Sequence, residues 1–259
     1  MSGQPVISPI NSTLGFCGKV ASQGDFLAQG LQVAFVDSWN EWLQAVLAVS
    51  REQLGATWLE TYLTSPVWHF ALSAGVCSDQ AMAGTLMPSV DQVGRHYPFT
   101  LAAELAVTPV QAWQERDWCD TFEQQVLATL DDGFNLQQWL AALGKLHVAW
   151  PEAKRISVSQ SNNEAIRQAW TISGSEPLES LGLLHQSYQQ QFSRYCLWWT
   201  NGSEHVAPCL LVTSGLPQVS QYAAMLDGDW SRWNWQQKHI QFYANCISCP
   251  KPQRLSSKT

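Results

Sequence analysis

Hydrophobic and polar positions repeat along this chain with two different periods. From Trp39 the apolar side chains fall close to i, i+3, i+4 and i+7. Trp39, Trp42, Leu43, Val46, Leu47 and Leu54 would share one face of a helix, with Asp37 as its expected N-cap. Thr57 to Leu63 reads as a further helical turn that Pro66 ends. The period then switches to two. Trp68, Phe70 and Leu72 alternate with His69, Ala71 and Ser73, and Met82 to Met87 is a second strand. Phe99, Leu101, Ala103 and Leu105 alternate with Pro98, Thr100, Ala102 and Glu104. Upstream, the apolar run Leu14 to Lys19 reads as a first strand, and Ser22-Gln23-Gly24-Asp25-Phe26 as a Gly-containing turn after it.

Downstream, Thr108-Pro109 opens a helix with Cys119, Phe122, Val126 and Leu130 along one face. Asn135 with Gln138 resembles a capping box for the next helix, whose buried stripe is Trp139, Leu140, Leu143 and Leu146. Residues 155–159 read as a short strand, 160–176 as loop and Leu178 to Phe192 as a helix. Tyr195 to Trp199 and Cys209 to Val212 are strand-like, with the hairpin signal Asn201-Gly202 between them, and Pro217 to Leu226 suits another helix. Consecutive strands without intervening helices imply antiparallel pairing. The expected fold is therefore α+β, a mixed, largely antiparallel sheet flanked by helices. The expected organisation is a flexible arm over 1–12, an α+β region over 13–130, a second α+β region over 131–249 packed on it in one compact unit, and a disordered tail over 250–259.

Composition narrows the function classes. Only 14% of the 259 residues are charged, against about 25% in an average domain, and the net charge is −7. So few basic groups on an acidic chain make a poor electrostatic partner for nucleic acid or an anionic membrane. The 14 tryptophans are expected mostly in the core, with a minority free to anchor a partner. Seven scattered cysteines do not form a disulfide framework. Cys17, Cys77, Cys119, Cys196 and Cys209 lie in apolar runs, where free Cys behaves as a small hydrophobe. The first residues lack a signal-peptide pattern and no apolar run of about 18 residues occurs, so a cytoplasmic protein without membrane insertion is expected.

Little in the sequence names an enzyme. There is no G-x-G-x-x-G, G-x-S-x-G or H-E-x-x-H, and Gly15 to Val20 lacks the spacing and hydroxyl of a phosphate loop. Cys246-Ile247-Ser248-Cys249 is a C-x-x-C without the second pair that a zinc site needs. Asp227-Gly228-Asp229 offers too few oxygens for calcium. No cofactor or metal is expected. Two loops stand out because they carry charge in a charge-poor chain: Lys19 to Phe26 and Asp91 to Tyr97. Two readings of them stay open. In one, Gly24 and Gly94 serve turns while Asp25 and Arg95 pair or cap; in the other, the loops bind something.

These loops and the segments between them resemble the TagF family associated with bacterial type VI secretion. Gly15-Phe16-Cys17-Gly18-Lys19 followed by Ser22 to Phe26 is similar to the family's opening, Trp39 to Trp42 to its W-x-x-W helix, and Tyr62 to Phe70 to its Y-L-x-x-P-x-W-x-F strand. Met87-Pro88-Ser89-Val90-Asp91 with Gly94-Arg95-His96-Tyr97-Pro98-Phe99 is similar to its most distinctive block. The resemblance covers about residues 14–105. It implies a post-translational repressor that binds and sequesters a cytoplasmic forkhead-associated scaffold protein, without catalytic residues; some relatives are fused to a phosphatase, whose acidic metal-binding signature does not occur in this sequence, so the stand-alone form is expected. Lys19, Gly24, Asp25, Phe26, Ser89, Asp91, Gly94, Arg95, His96 and Tyr97 are the candidate partner-binding residues. The alternatives are a small hydrolase or nucleotide-handling enzyme, with a polar pocket around Asp25, His69 or His96, and a structural part of the secretion apparatus.

Overall fold

The computed structural model describes residues 10–150 and 180–238. Among these residues, eight strands make one antiparallel sheet: β1 (Ile10–Gly18), β2 (Leu27–Gln29), β3 (Trp68–Leu72), β4 (Met82–Met87), β5 (Phe99–Glu104), β6 (His147–Trp150), β7 (Cys196–Thr200) and β8 (Cys209–Thr213). Their order is β2-β1-β5-β4-β3-β7-β8, with β6 pairing the first half of β1. The helices are α1 (Val33–Leu54), α2 (Trp58–Leu63), α3 (Pro109–Gln114), α4 (Asp117–Leu127), α5 (Leu136–Leu143), α6 (Ser180–Phe192) and α7 (Ala223–Asp227). The fold is α+β, a multi-stranded antiparallel sheet flanked by helices on both faces.

The two-residue alternation sorts the central strands between two cores. Trp68, Phe70 and Leu72 of β3, with Met82, Leu86, Cys196 and Trp198, pack against Phe35, Trp39, Trp42, Leu43 and Val46 of α1 and Met225 of α7. Ala71, Ala83, Phe99, Leu101, Leu197 and Trp199 point the other way, onto Val110 of α3, Trp118 and Phe122 of α4 and Trp139 of α5. Because both faces are covered, polar members of the strands are also buried: His69, Thr85 and Thr100 are all at 2% exposure or less. Each must then find a hydrogen-bond partner. Thr100 accepts from Trp39 Nε1 at 2.9 Å, and Trp42 and Trp68 donate to the Pro217 and Met225 carbonyls. Every described tryptophan is buried or half-buried, so none is an exposed anchor.

Several elements depart from the pattern reading. α1 begins at Val33 with Gln32 at its N-cap, and Asp37 lies inside the helix. The earlier start buries Phe35 completely, stacked on Trp39 at 5.3 Å, which outweighs a missing side-chain cap. The helix opened by Thr108 is two helices. Thr108 and Gln111 form a capping box for α3, the chain breaks, and Trp118 at the start of α4 donates to the Ala112 carbonyl at 3.0 Å across the break. α4 ends at Leu127 and a 3-10 turn follows over Ala128–Leu130, so Leu130 leaves the buried face and is exposed. β1 starts at Ile10, inside the segment expected as an arm, because Ile10 to Thr13 pair with Trp150 to His147. The Asn201-Gly202 pair does not make a two-residue turn. Residues 201–208 form a wider connection, in which the Ser203 N–H donates to the carbonyl of fully buried Val206.

Cys17, Cys77, Cys119 and Cys196 are buried and Cys209 half-buried, all as free thiols. Burial pushes the Cys17, Cys77 and Cys119 thiols up to about 12. The strand expected over 155–159, the loop over 160–176, the Cys246–Cys249 pair and the tail after 250 lie outside the described residues. No helix among the described residues is long and apolar enough to cross a membrane.

Candidate functional site

The topology brings the two charged loops to one end of the sheet. Gly18, the last residue of β1, pairs with Phe99, the first residue of β5, and Phe99 also pairs with Met87 at the end of β4. The chain leaving β1 and the connection from β4 to β5 therefore meet. Gly18 permits the close approach. Its φ is 132°, and a side-chain carbon there would collide with the Pro98 carbonyl oxygen.

The second loop is a miniature hairpin. The Tyr97 N–H donates to the Ser89 carbonyl at 2.9 Å and Val90 bridges His96. The Asp91 N–H donates to the Arg95 carbonyl at 3.0 Å, and the Gly94 N–H returns to the Asp91 carbonyl at 2.9 Å. Gly94 has φ 81°, the left-handed conformation that closes this turn. The Asp91 side chain, with no solvent exposure, fills the turn. Its Oδ1 accepts from the N–H groups of Val93 (3.1 Å) and Arg95 (2.8 Å), and its Oδ2 from Lys19 Nζ (2.7 Å) and Arg95 Nε (2.6 Å).

Burial acts to raise the Asp91 carboxyl. The bonds from Lys19, Arg95 and Val93 overcome it and hold the group well below the usual carboxylate range. A buried carboxylate is tolerable only when its lone pairs are met in this way.

The loops are joined at four points. Lys19 reaches Asp91, Ser89 Oγ donates to the Lys19 carbonyl at 2.8 Å, the Gln92 N–H donates to the Gln23 carbonyl at 3.0 Å, and Arg95 Nη2 donates to the Gly24 carbonyl. From below, the Tyr62 hydroxyl donates to the Ser89 carbonyl at 2.9 Å and accepts from the Ser89 N–H at 3.0 Å. His96 lies edge-on to Trp58 and Tyr62, and burial with the nearby Arg51 charge lowers its pKa. Tyr97 donates to Asn40 Oδ1 at 2.6 Å and meets the edge of Phe26 at 5.6 Å.

Of the residues singled out in the sequence, Lys19, Ser89, Asp91, Gly94 and Arg95 form one network, while Phe26, His96 and Tyr97 border it. Gly24 joins through its carbonyl, without a positive φ. Asp25 does not join. The Asp25–Arg95 pair expected as one alternative is replaced by Asp91–Arg95, and Asp25 is exposed with no side-chain bond or ion pair among the described residues. Of the supporting residues, Tyr62 opens the Y-L-x-x-P-x-W-x-F motif and Asn40 lies within the W-x-x-W segment, yet neither they nor Trp58 stand among the candidate binding residues. The i, i+4 spacing of Trp58 and Tyr62 on one short helix is the signal available for them.

A second polar centre lies on the α4 side of the sheet. His69 Nδ1 contacts Thr85 Oγ1 at 2.8 Å and Nε2 contacts Glu123 Oε2 at 3.2 Å. The Nε2–H tautomer satisfies both, with the Thr85 hydroxyl donating to Nδ1. Burial, aided by the Arg116 charge, lowers His69 to about 4, so it is neutral near pH 7. Thr85 is fully buried, so no substrate reaches its hydroxyl. The three residues named for a polar pocket lie in different surroundings: His69 on the α4 side of the sheet, His96 against Trp58 and Tyr62 of α2, and Asp25 on the exposed turn before β2. The Asp227-Gly228-Asp229 turn uses its oxygens locally: Asp227 accepts from the Asp229 N–H and from Trp233 Nε1, and Asp229 from the Arg232 N–H. Among the described residues no group of three or more His, Cys, Asp or Glu is placed to hold a metal ion.

Residues 15–146, about half of the chain, match the TagF N-terminal domain, a family described as type VI secretion system-associated. The whole candidate site lies within that span. The fold is similar to the crystal structure of PA0076 from Pseudomonas aeruginosa PAO1, with a TM-score of 0.69 and 29% identity over 90% of this chain and 100% of that one. No curated protein sequence matches the chain.

Proposed function

From the premise that the chain belongs to the TagF family, we propose that it is a post-translational negative regulator of bacterial type VI secretion. It acts by binding and sequestering a forkhead-associated scaffold protein of the apparatus. The observation that carries this reading is the interlocked pair of loops. A surface whose backbone is already held by a buried carboxylate and two cations loses little conformational entropy on docking, which suits a binding module. The burial and neutrality of the His69 ring favour binding over hydrolysis.

Sequestration is stoichiometric: one bound complex removes one scaffold from the assembly equilibrium. The test is to titrate the protein against a fixed level of scaffold in cells while following effector release. Repression that scales with the ratio of the two supports the proposal. Full repression at a small fraction of scaffold abundance overturns it in favour of a catalytic mode.

A further inference from the structure

Arg95 does two jobs with different ends of its side chain. Nε is spent on Asp91 and one Nη2 hydrogen on the Gly24 carbonyl. A guanidinium carries five N–H donors, so three remain. The side chain is 59% exposed while its carboxylate partner has no exposure. Lys19, the other cation on Asp91, is only 14% exposed. One buried negative charge is therefore offset by two positive ones, and the surplus reaches the surface at Arg95. Its position is fixed by two internal hydrogen bonds, so little rotamer freedom remains to be lost.

Apolar groups flank this point. Val93, at the tip of the hairpin and two residues from Arg95, is 69% exposed. Its backbone N–H is pinned to Asp91 and its side chain is free. Phe26, two residues beyond the Gly24 carbonyl that Arg95 grips, is 39% exposed. In a chain of low charge, a rigid guanidinium on a hairpin and a turn that each also expose an apolar side chain is a recognition pattern: apolar groups near a polar contact exclude water and strengthen it. Asp25 is the opposing charge on the same turn, exposed and unpaired among the described residues.

We infer that the Phe26–Arg95–Val93 face recognises a protein surface that presents an acidic side chain, bound by the free edge of Arg95, beside an apolar recess that accepts Val93. This rests on the partner-binding reading above and adds the chemistry of the partner's side. Asp25 then works against the contact, since it repels the incoming carboxylate.

The test measures binding of the full chain to the purified scaffold protein of its own secretion system, at two salt concentrations, with thermal melts as controls. Val93→Ser removes an exposed side chain without internal partners, so its melt stays with the wild type while affinity falls at least about tenfold, the effect of an anchor residue. Asp25→Lys is expected to tighten binding several-fold, mainly through a faster on-rate and most at low salt, and Arg95→Glu to weaken it. If the wild type binds and Val93→Ser binds equally well, the face is wrong and the partner-binding reading stands. If Asp25→Lys weakens binding, the acidic character of the partner is wrong. If the wild type does not bind the scaffold, both the inference and the reading beneath it fall.

Discussion

Asp91 and His69 are both withdrawn from water, yet one is held ionised and the other neutral. The difference lies in what surrounds them. Four donors converge on the Asp91 carboxylate, two of them cationic. His69 has one hydroxyl and one carboxylate in contact, and the Arg116 charge opposes protonation. Burial disfavours the charged form in each case, and only Asp91 has enough compensation to reverse it. The consequence is a division of labour. The ionised centre ties two loops together at the sheet end and leaves a cation at the surface. The neutral centre joins β3, β4 and α4 through the interior, under Trp118 and Trp199.

Removing the Asp91 charge breaks this contrast most severely. Asp91→Asn places an amide N–H₂ against Lys19 and Arg95 and leaves Lys19 poorly solvated. It should lower the melting temperature further than any change at His69 or Arg95, with faster amide exchange across residues 89–97. An unchanged melt would show that the carboxylate does not organise the loops.

Acid separates the two centres by pH. His69 is lowered from 6.5 to about 4 in the fold. Between those values the unfolded chain binds a proton that the folded chain refuses, so stability is complete above about 6.5 and falls as pH drops towards 4. The loss reaches about 3 kcal/mol, reduced by whatever the Glu123 carboxylate returns to a protonated ring. The Asp91 carboxyl is depressed from 3.8, so its contribution survives that range and is lost only as pH falls further. Urea melts across acidic pH should show the two steps. His69→Leu should abolish the first and retain the second.

At neutral pH His69→Leu should itself be destabilising by about 1–3 kcal/mol, since it orphans the buried Thr85 hydroxyl. The double variant with Thr85→Val should recover part of that loss in a denaturant melt. The smallest effect belongs to Arg95→Ala. The Arg95 side chain is 59% exposed, and after its loss Lys19 and the N–H groups of Val93 and residue 95 still meet the buried carboxylate. A loss as large as that of Asp91→Asn would mean that Arg95 is a structural residue first.

The legible parts of the fold are those where local period and burial agree. The alternation Trp68/Phe70/Leu72 and the helical face Trp39/Trp42/Leu43/Val46 both end up as core, because amphipathic faces must be covered wherever they lie. Asp37 reads as a cap because a good capping residue stands a turn after the true start, and only the pocket that buries Phe35 distinguishes the two. β6 escapes a pattern reading because four residues carry too short a period, even though Val148 and Trp150 alternate with His147 and Ala149 as a strand requires. At the site, the charged positions are visible in the sequence and their pairing is not. Asp25 and Asp91 are equally plausible partners for Arg95 in one dimension. The left-handed turn at Gly94 lets the Asp91 side chain fold back under its own hairpin.

The chain alone carries the fold class, the core-facing positions of α1 and β3, the thiols destined for burial and the loops that bear charge. Each of these follows from local periodicity or from a residue's own affinity for water. Which acid is buried, which cation reaches the surface and the neutrality of His69 are set by the three-dimensional arrangement. Those outcomes depend on groups far apart in the chain, Lys19 with Asp91 and His69 with Glu123, whose distances are set by strand order. A charge state is the sum of desolvation and every neighbour's field, and no stretch of sequence holds all the neighbours.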